Sequence, residues 1–223
     1  MTIESHGHEH EFEPQYGLPE RLPQDEKILW QGSPDWVTLA RRGFHLYKVA
    51  GYFGLMLAWR AGSQLLDGAG VVDALFSLRW LLPLAIAGLF SIGLLAWLTA
   101  RTTVYTLTDK RVVMRVGIAL TVTFNLPLRT LAAASLRRHH GDFGDICLAL
   151  AGQDRIAYVH LWPSVRPWHF KRPEPMLRAV PNAQEVAAQL QQAWSAVTGV
   201  AATPVGPVVA APVPGSRWQE SPT

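Results

Sequence analysis

Eight histidines are the first place to look for chemistry, because imidazole both ligates metals and titrates near neutral pH. Three stand in His6-Gly7-His8-Glu9-His10, and two in His139-His140 close to Asp142 and Asp145. A structural metal site needs ligands held in a fixed geometry. The flexible composition around both groups enforces none, so they read as a solvated arm and a solvated turn. His45, at the edge of an apolar segment, reads as an interfacial histidine. His160 and His169 have no second ligand at a metal-binding spacing. The single cysteine, Cys147, excludes an intramolecular disulfide and a thiolate cage. In Asp145-Ile146-Cys147-Leu148 it reads as a small buried apolar residue. No Gly-x-Ser-x-Gly, His-Glu-x-x-His, Walker-type loop or dinucleotide glycine fingerprint is present. The expectation is therefore no catalytic residue, no cofactor and no metal; the chain is not read as an enzyme.

Two groups of residues suggest binding instead. Leu161 to Pro175 interleaves aromatics, prolines and basic residues, giving stiff extended backbone and large contact surfaces. Trp162, Arg166, Trp168, His169, Phe170 and Arg172 are read as a partner-docking surface, since Trp and Arg dominate protein interfaces. The same side chains also suit packing beneath the domain or the lipid headgroup level. From Arg101 to His140 there are seven Lys or Arg against one acid, Asp109. Of these, Arg111, Arg115, Arg137 and Arg138 are read as a face for anionic lipid. A net charge of +3 and a pI near 9.2 are too modest to argue for nucleic acid, and the basic residues lack the interleaved aromatics of a single-strand platform.

The elements that must position these residues begin with Trp80 to Ala100, 21 uncharged positions between Arg79 and Arg101. As a helix this run is about 32 Å long, against a hydrocarbon core of about 30 Å. A shorter apolar segment, Val49 to Trp59, extends to about 44–60 if Lys48 and Arg60 snorkel. The two are read as a transmembrane hairpin over 44–100, with helices at about 44–60 and 80–100. Arg41, Arg42 and Lys48 before it and the basic stretch after it place both termini in the cytoplasm. No cleaved signal peptide is expected. Residues 24–43 hold a first strand, around Ile28 to Gln31, and a pre-membrane segment. From Thr102 the period changes to that of strands, expected at Val104–Thr108, Arg111–Gly117, Leu120–Leu126, Thr130–Leu136, Ile146–Leu150 and Arg155–Trp162. Val112 to Leu128 is read as strands rather than as a third span. Asn182 and Glu185 suggest a capping box opening a helix that buries Val186, Leu190, Trp194 and Val197 on one face. Residues 101–198 thus form a cytoplasmic β-domain with a C-terminal helix. A His/Glu/Pro-rich arm (1–23) and an Ala/Val/Pro tail (199–223) are read as disordered.

The strand before the membrane, the apolar hairpin, and Tyr105-Thr106-Leu107-Thr108-Asp109-Lys110-Arg111-Val112-Val113 after it resemble the bacterial pleckstrin-homology-like membrane domains. That resemblance covers roughly Gln24 to Val197. It implies a small antiparallel barrel of seven strands capped by one helix, with the hairpin inserted after the first strand. A narrower similarity joins Gly17-Leu18-Pro19-Glu20-Arg21-Leu22-Pro23, Ile28-Leu29-Trp30-Gln31-Gly32 and Arg172-Pro173-Glu174-Pro175-Met176-Leu177-Arg178 to the PuhB family of photosynthetic complex assembly proteins of purple bacteria. It implies a factor in the cytoplasmic or intracytoplasmic membrane that assists assembly of the reaction centre and its light-harvesting complex. The implied partners are reaction-centre subunits, light-harvesting subunits and membrane lipid, with a homodimer allowed and no nucleic acid. The alternative expectation is a lipid- or peptide-sensing module in envelope physiology.

Overall fold

The computed structural model describes residues 17–18, 20–118, 120–139, 141–151, 158–170 and 173–199. Calls on 1–16 and on 200–223 lie outside the described residues. The first strand, β1 (Ile28–Gly32), precedes every helix. Gly32-Ser33-Pro34 stops it, and Asp35 then caps α1 (Trp36–Thr38), its carboxylate accepting from the Thr38 amide at 2.7 Å. A π-helical turn, Leu39–Gly43, leads to α2 (Leu46–Leu66), which reaches past the residue-60 limit read from the sequence. A short α3 (Val71–Phe76) follows, then α4 (Leu81–Thr102). The helices α2 and α4 touch each other.

The stretch Val71–Thr102 is long and apolar enough to cross a membrane, by length and composition, and α2 is not counted with it. Lys48 and Arg60 inside α2 account for the difference, since each charge offsets several apolar positions. On α4 the large apolar side chains are left bare, as with Leu84 and Phe90 at 61% and 69% exposure. Water penalises such a surface and lipid does not.

After α4 come β2 (Val104–Thr108), β3 (Arg111–Val116), β4 (Val122–Pro127), β5 (Leu131–Arg138), β6 (Gly144–Leu150) and β7 (Met176–Val180). They form an antiparallel four-stranded sheet, in the order β1-β2-β3-β4, and a three-stranded sheet, β5-β6-β7. The expected single closed barrel is therefore not what is observed. Pro127 ends β4, and a 3-10 turn, Leu128–Thr130, intervenes before β5, so the ladder breaks where the chain passes between sheets. Two sequence readings also change. Arg155–Trp162 is not a strand where it is described, because Tyr158–Leu161 is a short helix, α5. The seventh strand is Met176–Val180, which pairs with β6 through Cys147↔Met176 and Ile146↔Leu177.

The last helix, α6 (Ala183–Thr198), lies across both sheets. Val186 and Leu190 are buried with Tyr105, Met114, Leu128, Ile146 and Leu148, and Trp194 and Val197 pack against them. The Trp194 indole also donates to the Leu131 carbonyl at 3.1 Å. The capping box does not form. Asn182 adopts a left-handed conformation and its side chain makes no cap bond, so only its carbonyl accepts, from the Glu185 and Val186 amides.

β1 is paired with β2 from Ile28↔Thr108 to Gly32↔Tyr105, across the whole helical insertion. Its outer end is locked by a two-pronged ion pair, with Arg111 Nε and Nη2 donating to the two Glu26 carboxylate oxygens at 2.8 and 2.9 Å. The Glu26 side chain is only 3% exposed. Replacing Arg111→Met should therefore lower the unfolding free energy by about 2–4 kcal/mol, because a buried carboxylate loses its partner. Equilibrium unfolding of the detergent-solubilised chain measures it. The double variant Glu26→Gln/Arg111→Met should recover part of the loss, whereas Lys110→Ala, which removes an exposed ion pair with Asp25, should change little. Gly117 sets a second constraint, with φ +129° and the Leu120 carbonyl oxygen 2.0 Å from where a Cβ would stand. Gly117→Ala should cost about 1–3 kcal/mol in the same measurement.

Candidate functional site

The strand register divides the residues singled out by sequence between two ends of the first sheet. Val104, just beyond α4, lies opposite Arg115, and Leu107 lies opposite Val112. Arg115 therefore sits at the end from which α4 departs. Arg111, four residues earlier, sits at the far end and is already held by Glu26. On β5, Arg137 and Arg138 lie opposite Asp145 and Gly144, and strand alternation sends neighbouring side chains to opposite faces. Arg137 lies within electrostatic reach of His45, together with Lys48 and Arg178. Arg138 lines an open cleft of about 200 Å³ with Asp142, Phe143, Asn182 and Glu185. The four arginines read as one lipid face are thus distributed over two sheets and both ends of one of them.

A different basic group gathers at the base of α2. The π-turn Leu39–Gly43 packs on β7 and on the last turn of α4, burying Leu39, Ala100 and Ala179 together, with Phe44 against them. The Asp35 amide donates to the Ala179 carbonyl at 2.9 Å. Arg178 reaches over this joint, donating from Nη2 to the Val165 carbonyl at 3.0 Å, and Gly43 leaves room for its guanidinium. Arg41, on the same turn, lies over the Tyr47 ring at 5.4 Å. His45, Lys48, Arg137 and Arg178 therefore surround the point where the domain meets α2. Sequence alone gave neither Phe44 nor Arg178 a role at this joint, since their partners come from distant segments.

The aromatic segment forms a ribbon. Val165 bridges Pro175, the Met176 amide donates to the Ser164 carbonyl at 2.9 Å, and the Arg166 amide donates to the Glu174 carbonyl at 3.0 Å. Arg166 is also ion-paired with the Glu174 carboxylate at 2.8 Å, so it clamps the ribbon. At the tip, Trp168 has φ +67° and is 84% exposed. Phe170 stands edge-on to Trp168 and packs on Tyr158, with centroids 6.3 and 4.8 Å apart. His169 is held by its own turn, Nδ1 lying 3.1 Å from the Pro167 carbonyl. Trp162 meets Phe44 edge-on at 5.9 Å, so the ribbon springs from the same corner as α2. The structure keeps Trp162, Arg166, Trp168, His169 and Phe170 on one segment, with Trp168 and Phe170 the most exposed of its aromatics and Trp162 half exposed. Arg172 lies outside the described residues.

The ribbon is anchored to the core through Tyr105, whose hydroxyl meets Ser164 Oγ at 2.9 Å and accepts from the Arg178 amide at 3.3 Å. Burial pushes the Tyr105 phenol above its ordinary value, so it stays neutral. His139 and Asp145 form a further largely buried pair at 2.9 Å, and Asp145 also accepts from the Ala179 amide. Among the described residues, no group of three or more His, Cys, Asp or Glu is arranged to hold a metal ion.

A helix-capped pair of antiparallel sheets, with its first strand separated from the rest by an apolar helical insertion, defines a class, and the comparisons agree with it. The chain belongs to the bacterial PH domain family, whose sequence model matches residues 61–194. It is 40% identical over 192 residues, 85% of its own length and 89% of the relative's, to a Rhodobacter capsulatus protein described as an uncharacterized 23.7 kDa protein in the puhA 5' region. No solved structure matched. The family match begins within α2, so the place of β1 in the sheet comes from the structure.

Cys147, read from the sequence as a small buried apolar residue, is a free and buried thiol on β6. Burial pushes its thiol up to about 11, and it is 7% exposed. Around pH 8, Ellman's reagent should label it only as the protein unfolds. Rapid labelling of the native chain would contradict that.

Proposed function

We propose that this protein is a non-enzymatic membrane-bound assembly factor for the photosynthetic reaction centre and its light-harvesting complex, working through protein contacts. The pairing of β1 with β2 across the helical insertion carries the reading. A domain whose own sheet is closed around an apolar insertion cannot drift from the membrane, and its binding surface is concentrated beside other membrane subunits. The relative's position in the puhA 5' region fits a photosynthetic context. On this reading both α2 and α4 cross the cytoplasmic or intracytoplasmic membrane. Lys48 stands in the first turn of α2 and Arg60 six residues before its end, where long side chains can snorkel toward the headgroups, and the basic residues flanking the pair favour cytoplasmic termini.

The docking element is the ribbon tip. Trp168 and Phe170 present large rigid apolar area on a segment already ordered by the Arg166–Glu174 clamp, so little conformational entropy opposes binding. The PH-like fold also fits a lipid- or peptide-sensing module. Against it, Arg111 is engaged by Glu26 and lies at the far end of the sheet.

Affinity purification of the full-length protein from photosynthetically grown cells tests the choice. Reaction-centre subunits should co-purify, and the pair Trp168→Ala/Phe170→Ala should reduce their recovery about tenfold, the effect of losing one hot-spot contact. A deletion strain should accumulate less reaction centre. Normal accumulation would end the assembly reading. Binding to anionic vesicles without such co-purification would favour the sensing module.

A further inference from the structure

The same register places a turn that none of these roles uses. Val104 lies opposite Arg115, and Val116 lies opposite Val122. The described residues of the β3–β4 turn, 117–118 and 120–121, therefore stand at the end of the sheet from which α4 departs, and β3 touches α4. Gly117, with its positive φ and its close approach to the Leu120 carbonyl, folds the chain back sharply. The tip that results carries Ile118 and Leu120 at 40% and 83% exposure, with Val122 beside them at 38%. Single exposed apolar residues are ordinary. Several on one turn, next to the root of an apolar helix, mark a surface meant to be covered.

Lipid is the cover that this position supplies. Arg101 lies over the Trp97 ring at 5.3 Å on the last turns of α4, a pairing suited to the headgroup level. Thr102 and Thr103 are all that separate that level from the strand opposite Arg115.

We propose that the β3–β4 turn is a membrane-inserting wedge, with Ile118 and Leu120 entering the boundary between headgroups and acyl chains beside α4. The inference rests on α4 crossing the bilayer. It gives the first sheet a second attachment besides the helix, so the domain does not swivel about Thr103 and the aromatic ribbon is held at a set orientation to the membrane.

The test uses the full-length chain with Cys147→Ala, reconstituted into vesicles of phosphatidylcholine and phosphatidylglycerol. One cysteine at a time is introduced by Leu120→Cys, Leu94→Cys in α4, or Lys110→Cys at the far end of the sheet, and labelled with an environment-sensitive fluorophore. The Leu120 label should show blue-shifted emission and protection from aqueous iodide, as the Leu94 label does, while the Lys110 label is quenched. Quenching at Leu120 with protection at Leu94 overturns the wedge alone. Quenching at all three overturns the membrane reading beneath it. Protection at Leu120 that arises only on adding solubilised photosynthetic membrane proteins would make the turn a protein contact and also overturns the wedge. A parallel comparison uses Ile118→Asp with the Leu120→Cys label in place. An unchanged unfolding midpoint in detergent together with lost protection in vesicles supports the wedge, and retained protection counts against it.

Discussion

Everything in this molecule depends on the pairing of β1 with β2. Gln31 Nε2 donates to Thr106 Oγ1 at 2.8 Å across 75 positions of sequence, and between those positions lie all the helices of the insertion. Closing so long an excursion is less costly than its length suggests, because each doubling of a loop adds only about 0.6 kcal/mol. Contact between α2 and α4 shortens the effective excursion further. The sheet offsets that cost through the β1–β2 backbone ladder and through the Arg111–Glu26 pair at its outer end. The consequence is mechanical: the helices lie within the domain's own chain rather than at its end, so their folding and the completion of the first sheet are coupled.

The joint beneath that sheet turns attachment into orientation. Leu39, Ala100 and Ala179 come from the pre-helix turn, the end of α4 and β7, and they are buried against one another. A packed contact among three segments tolerates little movement, because a loosened core forfeits dispersion contacts at once. Arg178 and Tyr105 extend the joint to Val165 and Ser164, the first residues of the aromatic ribbon. The ribbon therefore has a direction relative to α4 that is set by buried hydrogen bonds. Docking surfaces benefit from such preorganisation, since fewer degrees of freedom are lost when a partner binds.

Charge is used locally rather than as a broad field. Arg111 stabilises a strand edge, Arg166 clamps a ribbon, and Arg178 spans the joint, so their chemistry is spent on carboxylates and carbonyls within the fold. Arg101 and Arg41 lie over aromatic rings close to the ends of helices. A count of basic residues after an apolar helix suggests a membrane-proximal flank, but it does not say which of them lie on one face.

Much of the fold could be read from the residues. Alternation in Val104–Thr108 and Arg111–Val116, the apolar run from Trp80, and the spacing of Val186, Leu190, Trp194 and Val197 are local patterns. Local patterns determine strand, helix and which face is buried. The PH-like class came from the resemblance that Tyr105 to Val113 and the strand before the helices carry to that family. What the sequence could not decide was long-range. Whether seven strands close into one barrel or divide into two sheets depends on how β4 and β5 pass Pro127, and Met176–Val180 becomes a strand only because β6 offers it a ladder. The separation of Arg111 from Arg115 follows from a register that no single strand contains. Residue types and their period determined the elements and the apolar insertion. Only tertiary pairing decided which end of the sheet meets the helix, because register is a property of two strands and not of either one.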